Sequence, residues 1–234
     1  MKLSALKNMM TFLALCLFCC GYAHSSPEYE DTKSEAIKVR SELMSRYQDD
    51  STLLKKQSFL TEANLTFQKL LIEQLAPAWY GTEWAFHGTS QKPGQGTIAC
   101  GYFVTTLLRD AGIKLERARL AQQASENIIK SLVSKESIRR FSNKPLSTFL
   151  SNLTDWGSGV YIVGLDFHVG FISVETEGVY FIHSSYQSPY AVTREIASQS
   201  AILASSKYRV VGKLEDEKFI TGWLNQTIFE TIGN

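Results

Sequence analysis

The apolar positions of this chain change period as it runs. Between 27 and about 50, Ile37, Val39, Leu43, Met44 and Tyr47 recur at roughly helical spacing in charged sequence. Between 60 and 75 the spacing predicts a second helix with Leu65, Leu70, Leu71 and Leu75 on one face, ended by Pro77. Residues 78–88 (AWYGTEWAFHG) are aromatic and broken by glycine, and mark a change of unit. A helical stripe returns at 98–111 through Phe103, Leu107 and Leu108, with Gly112 as its stop. The spacing predicts one more helix at 117–133, through Leu120, Ala124, Ile128 and Leu132.

The period then shortens. After a polar stretch around Asn143, Lys144 and Pro145, three runs rich in β-branched and aromatic residues occur: GVYIVGL at 159–165, HVGFISV at 168–174 and VYFIHS at 179–184. Glu175 to Gly178 reads as the hairpin turn between the last two. Ser188-Pro189 opens a loop, 207–213 (KYRVVGK) predicts another strand, and the tail to Asn234 a helix. Helices first and strands after predict an α+β fold, a helical N-terminal half packed on a small antiparallel sheet.

Composition adds boundaries. With 234 residues, 44% of them hydrophobic, the chain has material for one core. Lys2 and Lys7 precede an apolar run at 9–20 that is too short to span a bilayer, and Gly21-Tyr22-Ala23 supplies small residues for signal peptidase. The reading is a leader at 1–23, a helical extension at 24–76 and a main domain at 77–234. Export to the periplasm or exterior is expected, with lipid attachment at Cys19 or Cys20 as the rival. No second apolar run predicts a membrane span. The formal charge of +1 becomes −1 once Lys2 and Lys7 leave, so nothing argues for nucleic acid or a charged membrane surface.

Cysteine usage brings in chemistry. Cys16, Cys19 and Cys20 leave with the leader, so Cys100 stands alone and no internal disulfide can form. It comes after a Gly/Pro-rich loop (Pro93, Gly94, Gln95, Gly96) and opens a predicted helix capped by Thr97. A helix N-terminus and a nearby imidazole lower a thiol's pKa, and the same backbone N–H groups stabilise an oxyanion. Beyond His24 near the terminus, the imidazoles are His87, His168 and His183. Folding back through 175–178, pairs summing to 351 put His168 opposite His183 and pairs summing to 353 put them diagonal on one face. A sum of 352 sends them to opposite faces. Adjacent imidazoles supply a base and a group to orient it. No close-spaced ligand pair predicts a metal, and no cofactor is called for.

These segments resemble the NlpC-like cell-wall cysteine peptidases, a branch of the papain-like superfamily. GTEWAFHGTS is similar to that family's opening Gly-Thr and aromatic-x-aromatic motif, and IACGYFVTTLLRDAGIKLERARLAQQ to its Cys-Gly helix and the stretch beyond it. HVGFI is similar to its His-Val-Gly strand and FIHSS to its Ile-His-small strand, so the likeness runs over about 78–190. The resemblance implies a papain-like fold with Cys100 as nucleophile, His168 as base and His183 as third member. It also implies cleavage of an amide in a peptidoglycan stem peptide through a thioester. Where the family reads Asp-Cys-Ser-Gly, this chain has Ala99 before Cys100 and Gly101 after it, which removes the carboxylate that recognises a free amine. Acyl transfer to another acceptor, and a non-catalytic wall-binding role, share the same fold. Trp84 and His87 are candidate substrate contacts, with a structural role the leading alternative for His87. Asp166 either tunes the imidazole two residues on or caps its turn.

Overall fold

The β-rich runs at 159–184 form the centre of the molecule. In the computed structural model, which describes residues 27–49 and 53–233, the elements run α1 (Pro27–Asp49), α2 (Leu53–Lys69), a π-helical segment Leu70–Leu75 and α3 (Ala76–Trp79). Then come α4 (Cys100–Asp110), β1 (Lys114–Leu115), α5 (Arg117–Ala121), α6 (Ser125–Leu132), β2 (Ile138–Ser142) and α7 (Leu146–Trp156). The chain ends with β3 (Gly159–Leu165), β4 (Val169–Glu175), β5 (Gly178–Ser184), β6 (Val192–Ile196), α8 (Ala201–Ser205), β7 (Tyr208–Lys213), α9 (Glu217–Asn225) and β8 (Ile228–Phe229). The fold is α+β. The leader, with Ala23 and Cys16, Cys19 and Cys20, lies outside the described residues.

Six strands form one antiparallel sheet in the order β2-β7-β3-β4-β5-β6, and β1 pairs with β8 in a short parallel ladder. Both faces of the sheet are covered. On one, Val169, Phe171 and Ile182 join α4, α6 and the N-terminal helices, with Phe103 meeting Phe171 edge-on at 6.3 Å. On the other, Tyr161, Val163, Ile172 and Phe181 pack with Phe149 and Leu153 of α7 and Ile202 and Leu203 of α8. Strands buried on two faces read as continuous apolar runs. This is why 159–165 alternates so little.

The N-terminal helices share the first core. Phe67 of α2 packs edge-on against Phe219 and Trp223 of α9, at 5.0 and 5.2 Å. Residues 27–76 are therefore integral to the packed unit.

Several local expectations are corrected. Leu65 is 61% exposed, because Phe59, Ala63, Phe67 and Leu71 form the buried stripe and position 65 points the other way. Pro77 does not end the helical run. It occupies the first turn of α3, where its missing N–H costs nothing. The helix expected over 117–133 breaks at 122–124, where Ala124 turns extended and exposed and opens α6 instead of joining a buried face. The polar stretch at 143–145 is a joint between β2 and α7, neither of which its composition announces. β6 lies in the expected loop, and the tail helix stops at a left-handed Gln226 before β8.

Candidate active site

The hairpin settles the register. Glu175 pairs with Gly178 and Phe171 with Ile182, the sum of 353. His168 and His183 are thus diagonal on one face, and their rings stand 5.0 Å apart at 89°. Both are buried, and Nε2 of His168 lies 2.8 Å from Nδ1 of His183. Gly170 makes this approach possible. A Cβ there would meet Phe181 Cε2 at 2.7 Å and His183 Cβ at 2.8 Å.

A third member comes from β6. Glu195 Oε1 lies 3.1 Å from His183 Nε2. Phe181 pairs with Glu195 across the strands, so His183 and Glu195 again share a face, and the His183 ring stacks on Phe181 at 3.9 Å. No sequence motif announces Glu195, because its pairing depends on a strand hidden in apparent loop. The carboxylate is pushed up by burial, but hydrogen bonds from His183 and Ser200 outweigh this and hold it below the usual range.

An ionised Glu195 only accepts, so His183 carries its proton on Nε2 and offers the lone pair of Nδ1. His168 must then donate from Nε2, which leaves Nδ1 as its lone pair. That Nδ1 is buried with no partner among the described residues. An unpaired buried nitrogen is costly to keep. Here it belongs to the imidazole that lines the same cleft as Cys100.

Cys100 sits half-buried at the first position of α4. The loop before it is fixed on both sides: Ala99 N–H donates to Gly88 O at 2.9 Å, and Ser184 Oγ donates to Ile98 O at 2.7 Å. A Cβ on Gly88 would come within 2.5 Å of Ile98 N. Thr97 is not the cap. Ala99 holds that place with no side-chain hydrogen bond, and Thr97 bridges Glu83 instead. The bare helix start keeps its N–H groups for other use. Gly101 lets α5 approach, since a Cβ there would lie 2.2 Å from Ala121 O.

The electrostatics differ from expectation. Burial pushes the Cys100 thiol up from its ordinary range, outweighing the backbone N–H groups of Val169, Gly101 and Cys100 that favour the thiolate. Burial, then the neighbouring His183, hold His168 well below an ordinary imidazole. His183 is also lowered by burial, partly offset by Glu195. The resting pair is therefore a neutral thiol and a neutral imidazole.

The cleft of about 700 Å³ brings Trp84 and His87 together with Cys100 and His168, and adds Phe86, Phe167 and Tyr186. Asp166 does not line it. Its carboxylate accepts from the N–H groups of Lys207 and Tyr208 at 2.7 and 3.2 Å and from Ser206 Oγ at 3.0 Å. These bonds, led by Lys207, hold it below the usual range and tie it to the segment 206–208 between α8 and β7, so it neither lines the cleft nor caps its own turn. Trp79 and Phe103 are core, while Tyr80 faces another surface cavity. Among the described residues no group of three His, Cys, Asp or Glu side chains is arranged to hold a metal ion. No family model, curated protein or solved structure gives a significant match to this chain.

Proposed function

We propose that this protein is a cysteine hydrolase of the papain-like, NlpC-like type, cleaving an amide through a thioester on Cys100. The observation that carries the reading is the unpartnered Nδ1 of His168, which ends a tautomer-fixing chain from Glu195 in an imidazole that lines the same cleft as Cys100. Nδ1 takes the thiol proton as Sγ attacks the substrate carbonyl, so no standing thiolate is needed. The oxyanion forms at the start of α4, where uncapped backbone N–H groups face it. The C–N bond then breaks and His168 returns its proton to the leaving amine. Water attacks the thioester with His168 again as base, releasing the acid and the thiol. His183 and Glu195 hold the imidazole in the reacting tautomer throughout.

The leader-like N-terminus and the resemblance support work outside the cytoplasm and make peptidoglycan peptides the first substrates to try. The decisive comparison is muropeptide or anilide hydrolysis by the parent and by Cys100→Ala. Loss of the reaction in the variant is expected. Equal rates would overturn the proposal and leave the wall-binding role. Adding an amine acceptor and following products by mass spectrometry separates hydrolysis from acyl transfer, since both share the thioester.

A further inference from the structure

The chemistry of the reacting carbonyl's neighbourhood is written in the walls of the cleft. Charged residues make up 20% of the chain, yet no Lys, Arg, Asp or Glu lines the cleft that holds Cys100. Two other surface cavities of comparable size differ sharply. One carries Lys33, Arg109, Asp110, Lys114 and Glu116, the other Lys69, Glu73, Glu175, Arg194 and Glu215. The polar groups near the thiol are neutral hydrogen bonders, among them Thr89 and the amides of Gln122 and Gln123. An ammonium finds no carboxylate on these walls. The guanidinium behind them, that of Arg117 over the Tyr102 ring at 4.8 Å, is already engaged by Thr89 O, Ser90 O and Thr106 Oγ1. Burying a charge without a partner is costly.

Aromatic side chains take the place of charge. Phe167, next to His168, is 94% exposed, and Phe86 is 75% exposed. Among the described residues the other phenylalanines, at 59, 67, 103, 141, 149, 171, 181, 219 and 229, are buried. Trp84 and Tyr186 line the same cleft with ring centres 6.3 Å apart, and Tyr186 meets the His168 ring edge-on at 5.2 Å. Burying such a side chain against an apolar ligand removes both from water and favours the complex. Two phenylalanines held out of the core beside a nucleophile form the apolar wall of a ligand site.

We infer that the acyl group carried onto Cys100 is uncharged and apolar, and that Phe86, Phe167, Trp84 and Tyr186 are the residues that select it. The inference rests on the proposed thiol hydrolase reading and narrows its substrate. Sγ bonds to the carbonyl carbon of an apolar acyl group, the amine leaves with the proton held by His168, and water later frees the acid. Ala99, on the same wall, adds no charge beside Cys100.

The test uses the full chain on two substrate sets: p-nitrophenyl acetate, butyrate and octanoate, and N-acetylated p-nitroanilides of Phe, Leu, Lys and Glu. The expected result is Cys100-dependent turnover with kcat/KM rising at least about tenfold from acetate to octanoate, or from the Lys and Glu anilides to the Phe and Leu ones. The set that shows the rise tells an aliphatic acyl source from a blocked apolar peptide. Phe167→Ser, at a fully exposed position, should leave Tm unchanged and lower the octanoate or Phe-anilide value several-fold. Cys100-dependent turnover that is flat across both sets, or fastest on the Lys or Glu anilides, overturns this inference alone. Turnover of no member above the Cys100→Ala background overturns the hydrolase reading and this inference with it.

Discussion

A polar network lies near each end of helix α4, and the two differ in whether every group is paired. At its C-terminal end Tyr29 donates to Asp110 Oδ2 at 2.9 Å, Trp79 Nε1 donates to the Tyr29 hydroxyl at 2.7 Å, and Arg109 Nε donates to Asp110 Oδ1 at 2.9 Å. Every named group there has a partner, and burial pushes the Tyr29 hydroxyl far above its ordinary range, so it stays a donor. At the N-terminal end the chain of Glu195, His183 and His168 stops at an open Nδ1. A closed network ties the first helix to the core. An open one keeps a lone pair ready for a proton. The same low dielectric that strengthens the first makes the unpaired nitrogen of the second costly to keep.

That contrast orders the expected effects of change. Cys100→Ala should lower hydrolysis by about 10³-fold or more, as removal of a nucleophile does where residues act as a unit, with Tm near the parent's. A circular-dichroism melt beside the rate assay checks both halves. Glu195→Ala should cost roughly 10²-fold in kcat by freeing His183 to adopt the wrong tautomer. Glu195→Gln should recover part of this, because an amide oxygen still accepts from Nε2. Equal rates for the two variants would remove Glu195 from the relay.

The pH dependence comes from the neutral resting pair. His168 is already unprotonated below 6.5 and the thiol ionises only above its ordinary 9.0. Hydrolysis should therefore be nearly flat between these values. Alkylation by iodoacetamide, which needs the thiolate, should be slow near pH 6 and still climbing past pH 9. Alkylation saturated by pH 7 would show a preformed thiolate–imidazolium pair and remove the neutral one. The lowered imidazoles also act on stability. The unfolded chain takes up protons as pH falls below 6.5 while the folded one does not, so stability present above 6.5 is lost on the way down. His183→Gln should soften that acid loss in a pH series of thermal melts.

The closed network gives the smallest effect on chemistry. Tyr29→Phe leaves Asp110 Oδ2 and Trp79 Nε1 without this partner, at a cost of about 1–3 kcal/mol. For a chain of this size that is a fall of about 2–4 °C in Tm per kcal/mol. The rate of the folded protein should be unchanged, and a rate loss matching that of Glu195→Ala would erase the distinction between the two ends.

What the sequence determined was local. Strand periodicity located β3, β4, β5 and β7 to within about a residue, and the lone Cys100 ahead of an amphipathic run placed the thiol at a helix start. The turn at 175–178 limited the two imidazoles to a few registers. These features depend on neighbours in the chain, and so they leave a periodic mark. Which register holds, that Glu195 extends the imidazole chain, that Asp166 binds the segment 206–208, and that burial raises the Cys100 thiol were decided only in three dimensions. Each is a contact between distant segments or a desolvation by them: Glu195 reaches His183 across a strand pair, and Asp166 reaches backbone about 40 residues on. No spacing along the chain records such distances, because they are fixed by how the two faces of the sheet are filled.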